Sequence, residues 1–231
     1  MLLTLGIREV LPATPRARVV RIELDGAAFE YLAGQAVLVG ATGGPGRPYS
    51  MAAPPEEARR SGCLELLVGV GANLSPGPHL TLDAGRVVDV EGPIGSFTFP
   101  PAPTERRFVF IAGGTGIAPL RAMLRHALTI RGHRIGLLYS ARTPDEFAYE
   151  DELRLLAAEG RIELRQTVTR TVEGDWNGSR GRIGRAELQE LLHNPESLCF
   201  ICGPPALVGE MSGLLEELGV ARPLIRAEEW G

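Results

Sequence analysis

The stretch FVFIAGGTGIAPL, residues 108–120, decides the fold. A run of strand-forming apolar residues stops at a glycine turn, residues 113–116, and an apolar segment with helical character follows. Such a turn is typical of phosphate-binding loops, because glycine lets the backbone approach a ligand and the helix N-terminus offers free N–H groups. Pro119 suits the first turn of that helix, since its φ is already helical. A plain strand-to-helix turn without a ligand is the alternative, and the loop alone does not decide between them.

The rest of the second half alternates strand and helix patterns. The predicted strands are RFVFIAGG, RIGLLYSAR, RIELRQTVTR, SLCFICG and PLIRAEEW, and the predicted helices are IAPLRAMLRHALTIRG, DEFAYEDELRLLAAEG, GRAELQELLHN and PALVGEMSGLLEELG. This alternation predicts a parallel, Rossmann-like sheet with helices on both faces. In such a sheet the first strand-to-helix loop faces the ligand crevice, which favours the phosphate-binding interpretation of residues 113–116.

The first half has a different pattern. The runs RARVVRIEL, YLAGQAVLVG, CLELLVGV and RVVDVEG are short, rich in β-branched residues and separated by glycine and proline. Spacing of this kind predicts an antiparallel barrel or sandwich. The segment FPPAPTERR, residues 99–107, has the composition of a linker. We therefore predict a β domain at residues 1–102 and an α/β domain at residues 103–231.

Composition narrows the range of functions. The 231 residues carry a net charge of −4, and all the positive side chains are arginine. No basic stripe suggests a nucleic-acid partner, and no apolar run has the length needed to span a membrane. The apolar start, residues 1–12, is too short for a signal peptide. Three cysteines are an odd number and argue against a disulfide framework, so we expect a cytoplasmic protein.

A second candidate phosphate site lies in the β half, in GRPYSMAAPP, residues 46–55. Arg47 can form paired N–H bonds to a phosphate, Tyr49 offers a ring and a hydroxyl, and Ser50 a small donor and acceptor. A surface turn with an exposed arginine is the plainer interpretation of this segment. Two phosphate-suited segments, one in each half, favour two dinucleotides.

With these segments in place, the sequence resembles the flavin-dependent ferredoxin–NADP reductase family over nearly its whole length. RPYS (47–50) is similar to the family's FAD motif, and GPIGSF (92–97) to the motif that closes its barrel. GGTGIAP (113–119) and CGPP (202–205) are similar to its nicotinamide motifs, and EEW (228–230) to its acid-and-aromatic ending. Each motif is weak alone, but the five in this order are specific.

The resemblance implies an antiparallel Greek-key FAD-binding barrel followed by a NAD(P)-binding α/β domain. By resemblance, the FAD-binding residues are Arg47, Pro48, Tyr49, Ser50, Leu74, Ser75 and Trp230. Those that contact NADPH or NADH are Gly114, Thr115, Gly116, Pro119, Cys202, Gly203 and Pro204. The residues that contact the adenosine ribose and any 2′-phosphate are Ser140, Arg142, Thr169 and Arg170.

The resemblance also implies the catalytic roles. Ser50 lies near the reactive flavin edge, Cys202 helps to place the nicotinamide, and Glu228 positions that ring or relays a proton. Trp230 stacks on the flavin until the nicotinamide displaces it. The plainer interpretations are a turn hydroxyl for Ser50, a solvated terminus for Glu228 and an edge-strand residue for Trp230. Cys199 and Cys202 are three apart on a predicted strand and so point to opposite faces, which argues against a redox pair.

The implied activity is FAD-dependent oxidation of NAD(P)H, with electrons passed to a separate acceptor protein. The cysteines are too few to hold an iron–sulfur cluster, so we expect the acceptor to be a separate molecule. The resemblance implies a ferredoxin, a flavodoxin or an oxygenase component. The histidines show no metal-ligand spacing, so we predict no metal site. A flavin reductase that releases reduced flavin and a non-catalytic FAD subunit of a larger complex are the alternatives. No acid directly follows the second strand of the α/β half to bind the ribose diol of NADH, which slightly favours NADPH.

Overall fold

The computed structural model describes residues 1–170 and 176–230. The chain divides into two compact units. The first unit contains residues 1–99 and 121–126, and the second contains the remaining described residues.

The first unit is a curved antiparallel sheet. Its strands are β1 (Leu2–Thr14), β2 (Ala17–Glu23), β3 (Ala36–Ala41), β4 (Arg47–Ser50), β5 (Cys63–Gly69) and β6 (Val87–Ile94), and helix α1 (Pro55–Ser61) also belongs to it. The strand order is β4-β3-β6-β1-β2-β5. The two outer strands meet, because Met51 forms an antiparallel bridge with Leu66 and the Ala52 N–H donates to the Glu65 carbonyl at 2.7 Å. The sheet therefore closes into the predicted Greek-key barrel.

Apolar side chains fill this barrel from all six strands. Val20, Ile22, Leu64 and Leu66 are almost completely buried in one cluster, together with Met51 beside β4. The alternation of buried and more exposed residues on β6 matches the period of two that a half-buried strand requires.

Three elements of this unit, β1, β4 and α1, are not predicted by the sequence pattern. β1 is the longest strand, but its register shifts at Ile7–Glu9 and again at Pro12–Thr14. These bulges break the regular alternation that identifies a strand. Helix α1 is only seven residues long and begins at Pro55 directly after Pro54, so it has no amphipathic period to detect.

The second unit is a parallel sheet covered by helices. Its strands are β7 (Arg107–Gly113), β8 (Arg134–Ala141), β9 (Glu163–Val168), β10 (Ser179–Arg180), β11 (Leu198–Gly203) and β12 (Ile225–Glu229), and its helices are α3 (Glu150–Ala158), α4 (Arg185–Leu192) and α5 (Pro205–Glu217). The helix α2 (Ile117–Ala127) begins in this unit, and its residues 121–126 group with the first. The order is β10-β9-β8-β7-β11-β12. The prediction of a parallel Rossmann-like sheet is confirmed, with β10 as an additional two-residue edge strand.

The strand order reverses between β7 and β11, because the chain runs outward from β7 to β10 and then returns to the other side of β7. At such a switch point the loops after the two strands diverge and leave a crevice at their carboxyl ends. The loops concerned are Gly114–Gly116 after β7 and the Gly203–Pro204 segment after β11. The topology therefore supports a ligand site at the glycine loop.

Two helices are shorter than the sequence pattern predicts. The helix α2 ends at Ala127 and does not extend to Gly132. Thr129 and Ile130, which follow Ala127, are β-branched and disfavour helix. α3 begins at Glu150, because Pro144–Glu146 forms a separate 3-10 turn. Among the described residues, no helix combines the length and the apolar character needed to cross a membrane.

A buried arginine links β7 and β9 at the amino-terminal ends of these strands. Arg107 on β7 donates to both carboxylate oxygens of Glu163 on β9, at 3.1 and 3.0 Å, and also to the Leu191 carbonyl. Mainly through these bonds from Arg107, with help from His193, the pKa of Glu163 is held at about 2.

We expect Glu163→Gln to lower the free energy of unfolding at pH 7 by about 1–2 kcal/mol. This loss is smaller than for a fully buried ion pair, because the Glu163 side chain is nearly half exposed. Because the pKa of Glu163 lies below that of an unfolded glutamate, the stabilisation is complete above about pH 5 and is lost as the pH falls towards 2. Urea titrations of both proteins between about pH 2.5 and 7 measure this. A difference that stayed constant over the whole range would contradict the assignment.

Candidate functional site

The motif residues 47–50 form β4, a strand whose neighbours fix the direction of every side chain. β4 pairs with β3, with Tyr49 opposite Val37 and Ser50 opposite Ala36. Arg47 is exposed, and its guanidinium forms no hydrogen bond or ion pair with a described residue. The charge of Arg47 is therefore available to an anionic ligand.

Ser50 is buried, with 6% of its surface exposed, and its Oγ has no hydrogen-bond partner among the described residues. A buried hydroxyl without a partner costs about 1–3 kcal/mol, and most such groups in folded proteins are satisfied. An orphaned hydroxyl at one end of a strand that carries an unpaired arginine at its other end fits a ligand that supplies the missing partner. The FAD expected from the sequence would be such a ligand.

Tyr49 is held by a residue that the sequence does not suggest. Its hydroxyl lies 2.7 Å from Nε2 of His79, and the two rings are nearly parallel, with centroids 6.1 Å apart. His79 itself is 7% exposed. A histidine distant from any motif gives no signal in one sequence, although a half-buried tyrosine hydroxyl signals that some partner exists.

The loop at residues 71–77 is folded by its own hydrogen bonds. Leu74 has a φ of 59°, and its N–H donates to the Gly71 carbonyl. The Ser75 N–H donates to Oδ1 of Asn73 at 3.2 Å, and the Ser75 hydroxyl bonds within the loop to Gly77. Ser75 would have to exchange these internal bonds in order to hold a phosphate.

The glycine loop after β7 is a 3-10 turn, Gly114–Gly116, that leads directly into α2. A Cβ at Gly116 would lie 2.3 Å from the Cys202 carbonyl oxygen, so Gly116 is required for packing against β11. Gly114 has a φ of 54° and open space around it, and Thr115 is exposed. Residues 114 and 115 are therefore the part of the loop that a ligand can approach. Pro119 is the third residue of α2, within its first turn, as expected.

The Tyr139 side chain is hydrogen-bonded to the backbone of this loop. It is completely buried on β8, and its hydroxyl donates to the Gly114 carbonyl at 3.0 Å and accepts from the Ala148 N–H at 3.2 Å. The sequence pattern predicts β8 but gives Tyr139 no role. The available signal is a tyrosine inside an otherwise apolar strand, since a buried phenol needs a hydrogen-bond partner.

The four residues predicted to contact the adenosine ribose lie at the carboxyl ends of β8 and β9. Ser140 is buried and pairs with Thr167. Beyond the strands, the Thr169 N–H donates to the Ala141 carbonyl and the Arg170 N–H to the Arg142 carbonyl, at 3.0 and 2.9 Å. The two arginines are thus on adjacent backbone segments, and both are exposed.

Cys202, Glu228 and Trp230 are brought together at the carboxyl end of β11 and β12. Cys202 is buried and pairs with Glu228 across the two strands. The Trp230 indole N–H donates to Oε2 of Glu228 at 2.6 Å, and the Trp230 backbone N–H donates to the Gly203 carbonyl at 3.0 Å. Trp230 is therefore fixed both by its backbone and by its side chain.

The charges in this cluster follow from burial. Burial, with a smaller contribution from the Glu228 carboxylate, raises the pKa of the Cys202 thiol, so this sulfur is a neutral S–H at pH 7. Burial also raises the pKa of Glu228, and the bond from Trp230 opposes that shift. Cys199 lies in the apolar cluster with α4 and α5, and its pKa is raised by burial to about 12.

Comparisons with known proteins agree with this arrangement. A family of oxidoreductase NAD-binding domains matches residues 110–212. Ferredoxin–NADP reductase B of Sorangium cellulosum is 34% identical over 96% of this chain and 94% of that protein. The chain spans only 48% of a component of the Na⁺-translocating NADH-quinone reductase of Actinobacillus pleuropneumoniae, with 30% identity over 80% of its own length. The ferredoxin reductase in carbazole 1,9a-dioxygenase superimposes with a TM-score of 0.85 and 26% identity, covering 100% of this chain and 70% of that one.

An antiparallel barrel followed in the chain by an NAD-binding parallel sheet defines a nicotinamide-dependent oxidoreductase. The similarity to the Sorangium protein over nearly the full length of both chains then gives the family: the chain belongs to the ferredoxin–NADP reductase family. It is an NAD(P)H-dependent oxidoreductase that transfers electrons to a separate acceptor, and these predictions are confirmed.

We expect Gly116→Ala to lower the free energy of unfolding by about 1–3 kcal/mol and to weaken NAD(P)H binding, because the new methyl would displace the loop from the Cys202 carbonyl. Gly213→Ala is the matched control. Gly213 lies within α5 with no atom near the added methyl, so this change is expected to stabilise by about 0.5–1 kcal/mol. Urea unfolding and cofactor titration measure both variants. Equal stability of the two would contradict the packing role of Gly116.

Proposed function

We propose that the first unit binds FAD, that the second binds NADPH or NADH, and that the chain reduces a ferredoxin, a flavodoxin or an oxygenase component in the cytoplasm. The observation that carries this proposal is the buried, unpartnered Oγ of Ser50 on the same four-residue strand as the unpaired Arg47. A strand that served only to close a barrel would have no use for either feature.

On the FAD side, Arg47 binds the pyrophosphate, since a guanidinium can donate two parallel N–H bonds to phosphate oxygens. Tyr49 supplies its hydroxyl and ring next to Pro48, and Leu74 and Ser75 add backbone contacts from their loop. Ser50 donates its hydroxyl to the reactive edge of the flavin. When bound, FAD supplies the redox chemistry, and the protein orients it and excludes water.

On the nicotinamide side, Gly114 and Thr115 offer the accessible part of the loop, and the helices that begin near Pro119 and after Pro204 direct their N-termini to the same end of the sheet. The neutral thiol of Cys202 contacts the nicotinamide without adding charge. Glu228 holds the indole of Trp230 in place, so the orientation of the aromatic ring depends on that carboxylate.

The similarity to a ferredoxin–NADP reductase and to the reductase in a carbazole dioxygenase supports a protein acceptor.

We expect the purified protein to be yellow, and anaerobic NADPH or NADH to bleach its flavin absorbance. We expect Ser50→Ala to slow that bleaching about tenfold, because the loss of one hydrogen bond raises the activation free energy by about that factor in rate. The stability of the apoprotein should not fall, because the hydroxyl has no partner to lose among the described residues. Stopped-flow absorbance and urea unfolding measure the two effects.

Ser197→Ala is the matched control, because the Ser197 hydroxyl is equally buried but hydrogen-bonded to the Leu192 and Asn194 carbonyls. This control should lose about 1 kcal/mol of stability and keep the wild-type rate. A colourless protein that reduces added free flavin would replace the proposal with a flavin reductase. Bound flavin that neither nucleotide bleaches would replace it with a non-catalytic electron-transfer subunit.

Arg142 and Arg170 give the preference for NADPH. Both are exposed on adjacent backbone segments at the carboxyl ends of β8 and β9, where they can pair with a 2′-phosphate. We expect Arg170→Ala to lower kcat/KM for NADPH about tenfold and to leave the value for NADH within about twofold. Arg165→Ala, an exposed arginine at the middle of β9, is the control. A ratio of the two kcat/KM values that did not change would remove Arg170 from the specificity site.

A further inference from the structure

The bond between Tyr49 and His79 leaves one proton position undetermined. Tyr49 Oη and His79 Nε2 are 2.7 Å apart, so a single proton lies between the two atoms. Either the tyrosine donates to the imidazole, or the imidazole donates to the tyrosine. In the first case the tyrosine proton is used internally, and in the second it is free for another acceptor.

The environment of the second ring nitrogen decides between the two cases. Nδ1 of His79 is buried and has no hydrogen-bond partner among the described residues. It faces Gly77, where an added Cβ would lie 3.2 Å away. If Tyr49 donated to Nε2, the neutral ring would carry its proton on Nδ1, as a buried N–H without an acceptor. Unsatisfied buried N–H groups are rarer than unsatisfied acceptors, which favours the tautomer with the proton on Nε2.

The charges around the ring favour its neutral form. Burial lowers the pKa of His79, and the nearby Arg47 guanidinium lowers it further. Burial raises the pKa of Tyr49, and Arg47 opposes that shift. The backbone carbonyl of His79 accepts from the Ala41 N–H at 2.8 Å, which fixes this residue against β3. At pH 7 the pair is therefore a neutral imidazole bonded to a neutral phenol.

We propose that His79 is a positioning residue for FAD: its Nε2–H donates to Tyr49 Oη, which leaves the Tyr49 O–H to donate outward to an anionic oxygen of the dinucleotide. This inference rests on the proposed function, because it assumes FAD beside β4. Phosphate oxygens only accept hydrogen bonds, so the tyrosine must act as the donor there. A hydroxyl that accepts one bond also donates a stronger one. Arg47 thus supplies the positive charge, and His79 supplies the direction of the hydroxyl.

The tautomer can be measured without FAD. In apoprotein with ¹⁵N-labelled histidine, the His79 resonances are assigned by their loss in His79→Gln, and the long-range ¹H–¹⁵N pattern tells which nitrogen is protonated. We expect Nε2 protonated and Nδ1 bare between about pH 6.5 and 8. A ring protonated on Nδ1 would overturn the proposal, whether or not the protein binds FAD.

A double-mutant cycle then tests the effect on the ligand. The dissociation constant of FAD is measured by fluorescence quenching in His79→Phe, Tyr49→Phe and the double variant. We expect His79→Phe to weaken binding about tenfold in the wild-type background, as for one hydrogen bond to a charged group, and less than about twofold when Tyr49 is already phenylalanine. His79→Gln, whose amide N–H can replace Nε2–H, should bind within about threefold of wild type.

Equal weakening by His79→Phe in both backgrounds would mean that His79 acts only through packing, and the proposal would fail. A His79→Gln variant as weak as His79→Phe would contradict it too. Wild-type apoprotein that does not bind FAD at all would instead refute the proposed function, while the tautomer of the apoprotein would still decide the hydrogen-bond direction. Thermal melts of wild type and of every variant establish that each is folded.

Discussion

Closure of the antiparallel sheet directly after Ser50 is the constraint on which the position of β4 depends. β4 has only four residues, and an isolated strand of that length would be free to slip. Its backbone is bonded to β3, and the bridge from Met51 to Leu66 joins the next residue to β5. A slip by one residue would exchange the directions of Tyr49 and Ser50. The barrel therefore determines which side chains reach a ligand.

Backbone packing plays the corresponding part in the second unit. Gly113 and Gly203 face each other, and a Cβ on Gly203 would lie 3.1 Å from the Gly113 Cα. Together with the contact of Gly116 on the Cys202 carbonyl, this brings the loops after β7 and β11 as close as two backbones can lie. Tyr139 then fixes the Gly114 carbonyl from below. Most of the glycines in this loop are thus required by the protein's own packing, and only Gly114 is left to a ligand.

Local features of the fold and of the candidate site could be predicted from the sequence, whereas contacts between distant residues could not. The motif at residues 113–119 is local, so its type and its place between a strand and a helix follow from one segment. The motif at residues 47–50 is also local in type, but the strand β4 that carries it is not predicted. The His79 side chain acts through a hydrogen bond to a residue 30 positions away, and Tyr139 bonds to residues 25 and 9 positions away. No periodicity encodes such a pairing. β1 escapes prediction for a different reason, because its two bulges remove the alternation on which strand prediction depends.

In each of the two units, taken separately, most of the polar candidate residues are neutral. Cys202 keeps its proton because of burial, His79 is kept neutral by burial and by Arg47, and Ser50 is an uncharged hydroxyl. Arg47 is the charged group of β4. Fixed neutral donors need no counter-ion when the ligand is absent, whereas buried charges would each require a partner. Neutral groups of this kind can be folded and oriented in the absence of a ligand, at the cost of the unpartnered Ser50 Oγ and His79 Nδ1 in the described part of the chain.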